Sequence, residues 1–454
     1  MAVGLGPFPV IPSIEGVRFA AMEAGIKKAN KKDVVVFELA EGSAVAGVFT
    51  QNQFCAAPVR VCREHLAKAK PRYLVINTGN ANAGTGKSGM QNALHTCETL
   101  ANLTGVALEQ VLPFSTGVIG EPLPVSKITG VLPSALTSLA SEGWENVGRG
   151  IMTTDTLPKG AFRQIELAGE TITIGGISKG AGMIRPNMAT MLGFVFTDAA
   201  VDPLALQALL AQTTNQSFNR ITIDSDTSTN DSCIAVATGK AANPEISDLT
   251  QGDGAKFAQA FLEVMQELAH AIVRDGEGAT KFVTVEVKGA KVQSDATKTA
   301  FEIAHSPLVK TALFASDPNW GRILAVVGRA GVENLNVDTV SLSINGCEIA
   351  REGGRSPDYN EEAGQAAMNP EEIHIVVDLG AGDASDTVWT TDFSHEYVTI
   401  NAEYRTCWLF EVPQASLCVM SRCSLRYARK ISIKAVAGSF QEGRSKSMKS
   451  LKLR

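Results

Sequence analysis

The chain has 454 residues, enough for two or three domains and a large core. It is 44% hydrophobic and 19% charged with a net charge of −6, a globular composition that argues against general affinity for nucleic acid or anionic lipid. No apolar stretch approaches the roughly 18 residues of a membrane helix, and the opening MAVGLGPFPVIPSIEGVRFA lacks the basic start and apolar core of a signal peptide.

The eight cysteines are sparse and form no CxxC pair, so reduced thiols and a cytoplasmic location are expected. Charge is unevenly placed: residues 407–454 hold ten Lys or Arg against Glu411 and Glu442, and three of the cysteines. Their hydrophobic pattern has little regular period, so 407–454 reads as a separate basic extension.

Read in chain order, PRYLVINTGNANAGTGKSG predicts a strand over Tyr73–Asn77 that runs into a Gly/Asn turn. Apolar residues at helical spacing in GMQNALHTCETLANLTG predict a helix after it. ITIGGISKGAGM places a strand before a glycine loop, and Leu192 to Asp198 reads as a further hydrophobic strand. Asp202 and Pro203 suit the N-terminus of a helix over DPLALQALLAQTTNQSFN. The longest helix is expected in GDGAKFAQAFLEVMQELAHAIVRDGEG, ending near Asp275-Gly276. KFVTVEVKGA alternates as a strand should, and Asn345-Gly346 within VSLSINGCEIA is a hairpin signal. From Glu372 to Thr406 the chain reads as two strands joined by a glycine turn. Strands in adjacent pairs and helices in separate blocks predict α+β layering rather than strict βαβ alternation.

Three chemistries compete. Ala81 to Ser88 satisfies a loose phosphate-loop pattern between a strand and a helix, with Lys87 in the lysine position. The first glycine is missing, however, and three asparagines crowd Asn77–Gly86, so a tight Asn/Gly turn is the simpler reading. The six histidines show no pair at metal-ligand spacing and no HExxH, which argues against zinc and weakens a Ser-His-Asp arrangement.

The third centres on KGAGMIRPNMATMLGFVFTDA, Lys179 to Ala199. Thr190 suits a strand as a β-branched residue, but its neighbours suit self-cleavage. Pro186 and Asn187 precede it, Gly180 and Gly182 free the backbone, and Ala189 leaves its carbonyl open to attack. An N-to-O acyl shift onto the Thr190 hydroxyl, followed by water, leaves a chain that begins with Thr190. Its α-amine titrates near roughly 7.7–8.0 and can act as base for its own hydroxyl. Thr116 and Gly117 in PFSTGV offer a hydroxyl and a backbone amide for an oxyanion.

The segments NTGNANAGTG (77–86), FSTGVIG (114–120), IMTTDTLPK (151–159), SKGAGMIRPNMATML (178–192), DSDTSTNDS (224–232), RDGEGATKF (274–282), DPNWGRI (317–323) and YVTINAEYRT (397–406) run in family order over residues 7–406. Together they closely resemble ornithine acetyltransferase, the bifunctional glutamate N-acetyltransferase of arginine biosynthesis. The resemblance implies an α+β fold, a four-layer α/β/β/α sandwich like that of N-terminal-nucleophile enzymes. It implies a cut between Ala189 and Thr190, giving an α chain 1–189 and a β chain 190–406, and commonly an α2β2 assembly.

The resemblance also implies that Thr190 is the nucleophile and that Thr116 and Gly117 form the oxyanion pair. Substrate contacts fall on Thr156, Lys179, Thr190, Glu277, Asn401 and Thr406. N-acetylornithine and glutamate are the substrates, ornithine and N-acetylglutamate the products. No metal or bound cofactor is required, and acetyl-CoA serves some members as a second donor. The family chain ends at or just after Tyr404-Arg405-Thr406, whereas 48 residues follow here. The composition break at 407 favours a shifted reading frame over a lineage-specific extension. The competing enzyme reading is a self-processing aminopeptidase or amidase that hydrolyses its acyl-enzyme. Two further readings are a nucleotide-binding module on Lys87 and a non-catalytic uncut chain.

Overall fold

The computed structural model describes residues 2–185 and 191–404. The expected cleavage pair Ala189–Thr190, the contact Thr406 and the basic extension lie outside the described residues. The chain to Ile400 forms one compact unit, and a second begins at Asn401.

In chain order, β1 (Val17–Met22) and β2 (Val34–Leu39) pair antiparallel, and β3 (Ala44–Phe49) leaves for another sheet. After α1 (Ala57–Leu66), β4 (Tyr73–Asn80) joins β2, and α2 (Gly86–Thr104) leads to β5 (Val111–Val118), parallel to β4. Helices α3 (Val125–Thr137) and α4 (Trp144–Gly150) precede the hairpin β6 (Lys159–Leu167) and β7 (Glu170–Lys179). β8 (Leu192–Thr197) pairs antiparallel with β7. Across α5 (Pro203–Asn215) the chain returns as β9 (Ser232–Ala237), parallel to β8. Asp202 caps α5 by accepting from the amides of Leu204 and Ala205. The long α6 (Gly252–Arg274) then leads into a third sheet.

That sheet holds β10 (Phe282–Ala290), then, after α7 (Gln293–His305), α8 (Pro307–Phe314) and α9 (Trp320–Arg329), the hairpin β11 (Ser341–Ile344) and β12 (Cys347–Arg351) with β13 (Gly354–Arg355). It closes with α10 (Glu361–Met368), β14 (Glu372–Asp378), β15 (Ala384–Thr391) and the final helix α11 (His395–Glu403).

The strand orders are β1-β2-β4-β5, β3-β9-β8-β7-β6 and β13-β12-β11-β14-β10-β15. Alternation along β2 explains the first two layers, because successive side chains face opposite sides of a sheet. Val34 and Val36 join the cluster built with α1, α2 and α3, whereas Val35, Phe37 and Leu39 meet Phe194 and Phe196 of β8. Phe37 and Phe196 stack with ring centroids 4.8 Å apart. The outer face of the second sheet is covered by Leu206, Leu209 and Leu210 of α5 and by Phe257, Phe261, Val264 and Leu268 of α6. This is the expected α/β/β/α sandwich. Each buried Phe, Leu or Val contributes about 1.5–3 kcal/mol, so strands buried on both faces read as runs such as VVVF.

The third sheet buries one face only. Val283, Val285 and Val287 pack under α7 and α9, while Thr284, Glu286 and Lys288 alternate to the other side. The two strands expected here form as β14 and β15, joined by a glycine turn. β14 and β15 do not pair with each other, because β10 lies between them, parallel to β14 and antiparallel to β15. After β15 the chain turns helical instead of extended. Phe393 and Tyr397 stack at 4.8 Å with helical i,i+4 spacing, and the Ser394 hydroxyl accepts the Tyr397 amide at 3.4 Å. Among the described residues no helix is long and apolar enough to cross a membrane.

Candidate active site

The site residues stand at strand ends and at the loops that join them. Thr116 and Gly117 stand near the end of β5, and β7 ends with Lys179. Lys179 Nζ donates to Thr116 Oγ1 at 3.2 Å, so an ammonium lies behind the expected oxyanion hydroxyl. Both residues are buried, Thr116 at 8% and Lys179 at 9% exposure. Burial pulls the Lys179 pKa down, while Asp155, Asp231 and Glu277 act to keep it charged.

At Gly117 the backbone of β5 lies close against Gly79 and Asn80 of β4. Its φ is +133°, and a Cβ there would stand 2.3 Å from the Gly79 carbonyl carbon. Gly117→Ala is therefore expected to push the two strands apart. The expected result is a loss of stability of at least about 1–3 kcal/mol in urea denaturation and a fall in transfer rate of roughly 10²-fold.

A buried ion network fixes the next segment. Lys159 Nζ donates to Asp155 Oδ1 at 2.6 Å and to Asp275 Oδ2 at 2.7 Å, with all three side chains at or near zero exposure. Burial alone would raise the Asp155 carboxyl, but Lys159 and Lys179 hold it well below the usual range. Asp155 Oδ1 also accepts the Gly180 amide at 2.7 Å, which ties this segment to the glycine loop. Asp275 accepts the Thr156 hydroxyl, and its Oδ2 accepts the Thr156 amide at 2.9 Å. Two residues on, the Glu277 amide donates to Ala181 O at 2.7 Å. The Glu277 carboxylate lies against Gly182, where a Cβ would come within 2.4 Å of Oε2. Thr116, Gly117, Thr156, Lys179 and Glu277, drawn from four separate sequence segments, are thus brought together around the start of the 180–185 loop.

That loop is anchored on the DSDTSTNDS side. Asp224 accepts the amides of Met183 at 2.6 Å and Ile184 at 2.8 Å, and Ile184 O accepts from Thr222 Oγ1 at 2.8 Å and from the Ile223 amide at 2.9 Å. Where the described chain resumes, Met191 O accepts the Ser232 amide at 3.1 Å. The five residues that carry the expected cleavage bond are therefore bracketed by two anchors on one stretch, 222–232. Between those anchors, Asn230 donates to Ser115 O at 2.9 Å and Ala81 O at 2.6 Å, fixing the strand that carries Thr116.

Asn401 stands in α11, and Thr190 and Thr406 lie outside the described residues. The loose phosphate-loop segment turns on its own hydrogen bonds. Asn77 and Asn80 spend their amide groups on Asn80 O, Glu121 O and Pro122 O, Asn82 spends its own on Gly89 O, and Lys87 is exposed. Sequence reading passed over Asp155, Lys159, Asp224, Asp231 and Asp275, although each falls within a segment it singled out. Only the i,i+4 spacing of Asp155 and Lys159 offered a local signal.

With this geometry in hand, comparison with known proteins is specific. The model of the ArgJ family matches residues 18–406. An arginine biosynthesis bifunctional protein ArgJ from Pseudomonas fluorescens is 59% identical over 406 residues, covering 89% of this chain and all of the relative. The protein of the same name from Pseudomonas syringae pv. tomato is 58% identical over 409 residues, with the same coverage. Among solved structures, ArgJ from Bacillus halodurans is 40% identical, covering 47% of this chain and 100% of that one, with a TM-score of 0.45. Ornithine acetyltransferase from Mycobacterium tuberculosis, solved with ornithine, is 30% identical over 39% of this chain and 95% of that one, with a TM-score of 0.35.

Proposed function

The chain belongs to the ArgJ family, and from that membership we propose how it works as the acetyltransferase of arginine biosynthesis that moves the acetyl group of N-acetylornithine to glutamate. It cuts itself between Ala189 and Thr190 and uses the freed Thr190 hydroxyl as nucleophile. The observation that carries this reading is the contact between Lys179 Nζ and Thr116 Oγ1 at the mouth of the anchored 180–185 loop. A hydroxyl that accepts from an ammonium is a stronger donor, which is what a developing oxyanion needs.

In the cleavage step the Thr190 Oγ attacks the Ala189 carbonyl, and the nitrogen leaves as an amine after taking a proton. Water then hydrolyses the ester to an Ala189 carboxylate. In the first transfer step the α-amine takes the hydroxyl proton and Oγ attacks the acetyl carbonyl. Charge develops toward Thr116 and the Gly117 amide, and ornithine departs with the proton. Glutamate's amine attacks the acetyl ester, giving N-acetylglutamate and restoring the Thr190 hydroxyl. Lys179 and Glu277 supply one charge of each sign toward a substrate that carries both, with Thr156 beside them, and Asn401 and Thr406 complete the contacts. Acetyl-CoA, a donor for some members of the family, would enter by the same steps, with a thiol as leaving group. The chains 1–189 and 190–406 stay together, and two such pairs form an α2β2 assembly. The chemistry calls on no metal or bound cofactor.

The test is direct. Purified active protein is expected to yield a second terminus reading TMLGF, and labelled N-acetylornithine with glutamate is expected to yield labelled N-acetylglutamate. Labelled acetate as sole product, with or without glutamate, would replace transfer by the amidase reading.

A further inference from the structure

Ser394 carries a buried hydroxyl that the mechanism above does not use. It stands 7% exposed immediately before α11, and its Oγ donates to Gly278 O at 2.6 Å while accepting the Tyr397 amide. Gly278 directly follows Glu277. Its φ is +69°, and a Cβ there would meet the Tyr397 nitrogen at 2.5 Å and Ser394 Oγ at 2.6 Å. The turn that carries Glu277 is therefore seated against the first turn of α11, in a backbone shape that favours glycine. Two residues before Ser394, the Asp392 carboxylate holds the far end of the same turn. It accepts the Thr280 amide at 2.8 Å, the Thr280 hydroxyl at 2.5 Å and the Lys281 amide at 3.0 Å. Lys310 pins the end of β15 just ahead of it, through Thr390 Oγ1 at 2.9 Å and the Thr391 carbonyl. On the near side, the Glu277 amide donates to Ala181 O at 2.7 Å. The chain is thus tied on both sides of Glu277, and the tie at the next residue is one side-chain hydroxyl.

We propose that Ser394 is a positioning residue that sets substrate specificity: by holding the Gly278 carbonyl it aims the Glu277 carboxylate at the terminal ammonium of N-acetylornithine. This rests on the reading above in which Glu277 supplies the negative charge toward that substrate. Glutamate has no terminal ammonium, and its side chain ends in a carboxylate. A carboxylate aimed for N-acetylornithine therefore serves one half-reaction and not the other. A hydrogen bond between ammonium and carboxylate is short and directional, so its strength depends on where the turn holds Glu277. Releasing the turn at Gly278 weakens capture of N-acetylornithine and leaves capture of glutamate as it was.

In a ping-pong reaction kcat/KM for each substrate reports its own half-reaction, so the ratio of the two is blind to how much of the protein is active. Ser394→Ala removes only the Oγ. It is expected to lower kcat/KM for N-acetylornithine about tenfold while kcat/KM for glutamate stays within about twofold of wild type. Ser394→Thr restores a hydroxyl on the same carbon and is expected to recover most of the ratio. Ser394→Gly, which a helix N-cap tolerates, is expected to match the Ala variant and decides the matter if that variant does not accumulate. Equal losses in both half-reactions, an unchanged ratio, or a Thr variant no better than Ala would overturn the proposal. Glu277→Gln, measured alongside, is expected to shift the ratio in the same direction and further. If it leaves the ratio unchanged, the reading of Glu277 fails and takes the proposal with it. If it shifts the ratio while Ser394→Ala does not, that reading stands and the proposal alone is overturned.

Discussion

Thr190→Ala is expected to remain a single 48.0 kDa chain and to transfer no acetyl group. Alanine removes the hydroxyl needed for both the N-to-O shift and the acetyl ester, and the uncut chain has no α-amine at that position. The loss should be on the order of 10⁶-fold, the scale seen when a nucleophile is removed from an acyl-transfer site. Thr190→Ser keeps the hydroxyl and is expected to cut and turn over, both more slowly. Denaturing gel electrophoresis separates the two variants at once. An alanine variant that still appears as two chains would sink the assignment of Thr190, because some other group would then be cutting the backbone. One that stays whole yet transfers would separate cleavage from catalysis.

Lys159→Met is expected to be the most destabilising single change in the site. Methionine fills a similar volume but leaves Asp155 and Asp275 buried without their cation. Removing one partner of a buried pair costs about 3–5 kcal/mol, chiefly as the uncompensated charge left behind. An earlier urea midpoint at pH 7 is the readout. The sign of its pH dependence follows from Asp155. In the wild type this carboxyl is held below its ordinary value, so it contributes stability above about pH 3.9 that is lost as the pH falls through its folded value. In the variant the cation is gone, burial raises the carboxyl, and protonation relieves the penalty. The gap between variant and wild type should therefore narrow between pH 7 and pH 5. A gap that widens on acidification would show that Lys159 does not serve as the counter-ion of this pair. Transfer should fall with stability, since Asp275 holds Thr156 and Asp155 holds the Gly180 amide.

The bracketing of residues 186–190 gives these expectations a common frame. Ile184 is fixed by Thr222, Ile223 and Asp224 on one side of the cleavage segment, and Met191 by Ser232 on the other. Both anchors belong to one stretch of chain. A cut therefore leaves each new end attached to the body of the protein, which is what a two-chain enzyme needs to stay assembled.

The sequence by itself determined the local elements. α6 follows from its apolar spacing, α5 begins where Asp202 and Pro203 place it, and Asn345-Gly346 turns the β11–β12 hairpin. It also carried the ordered segments that identify the family and the residues around which the site is built. Tertiary structure alone decided that β10 lies between β14 and β15, that residues 395–403 coil into a helix, and that Lys159 is shared by Asp155 and Asp275 across more than a hundred residues. The physical reason is that periodicity records which face of an element is buried but not what buries it. A charged residue in a loop reads the same whether its partner is water or a carboxylate brought from another element. Its partner is chosen only when the sheets pack and the charges must be paired to leave water.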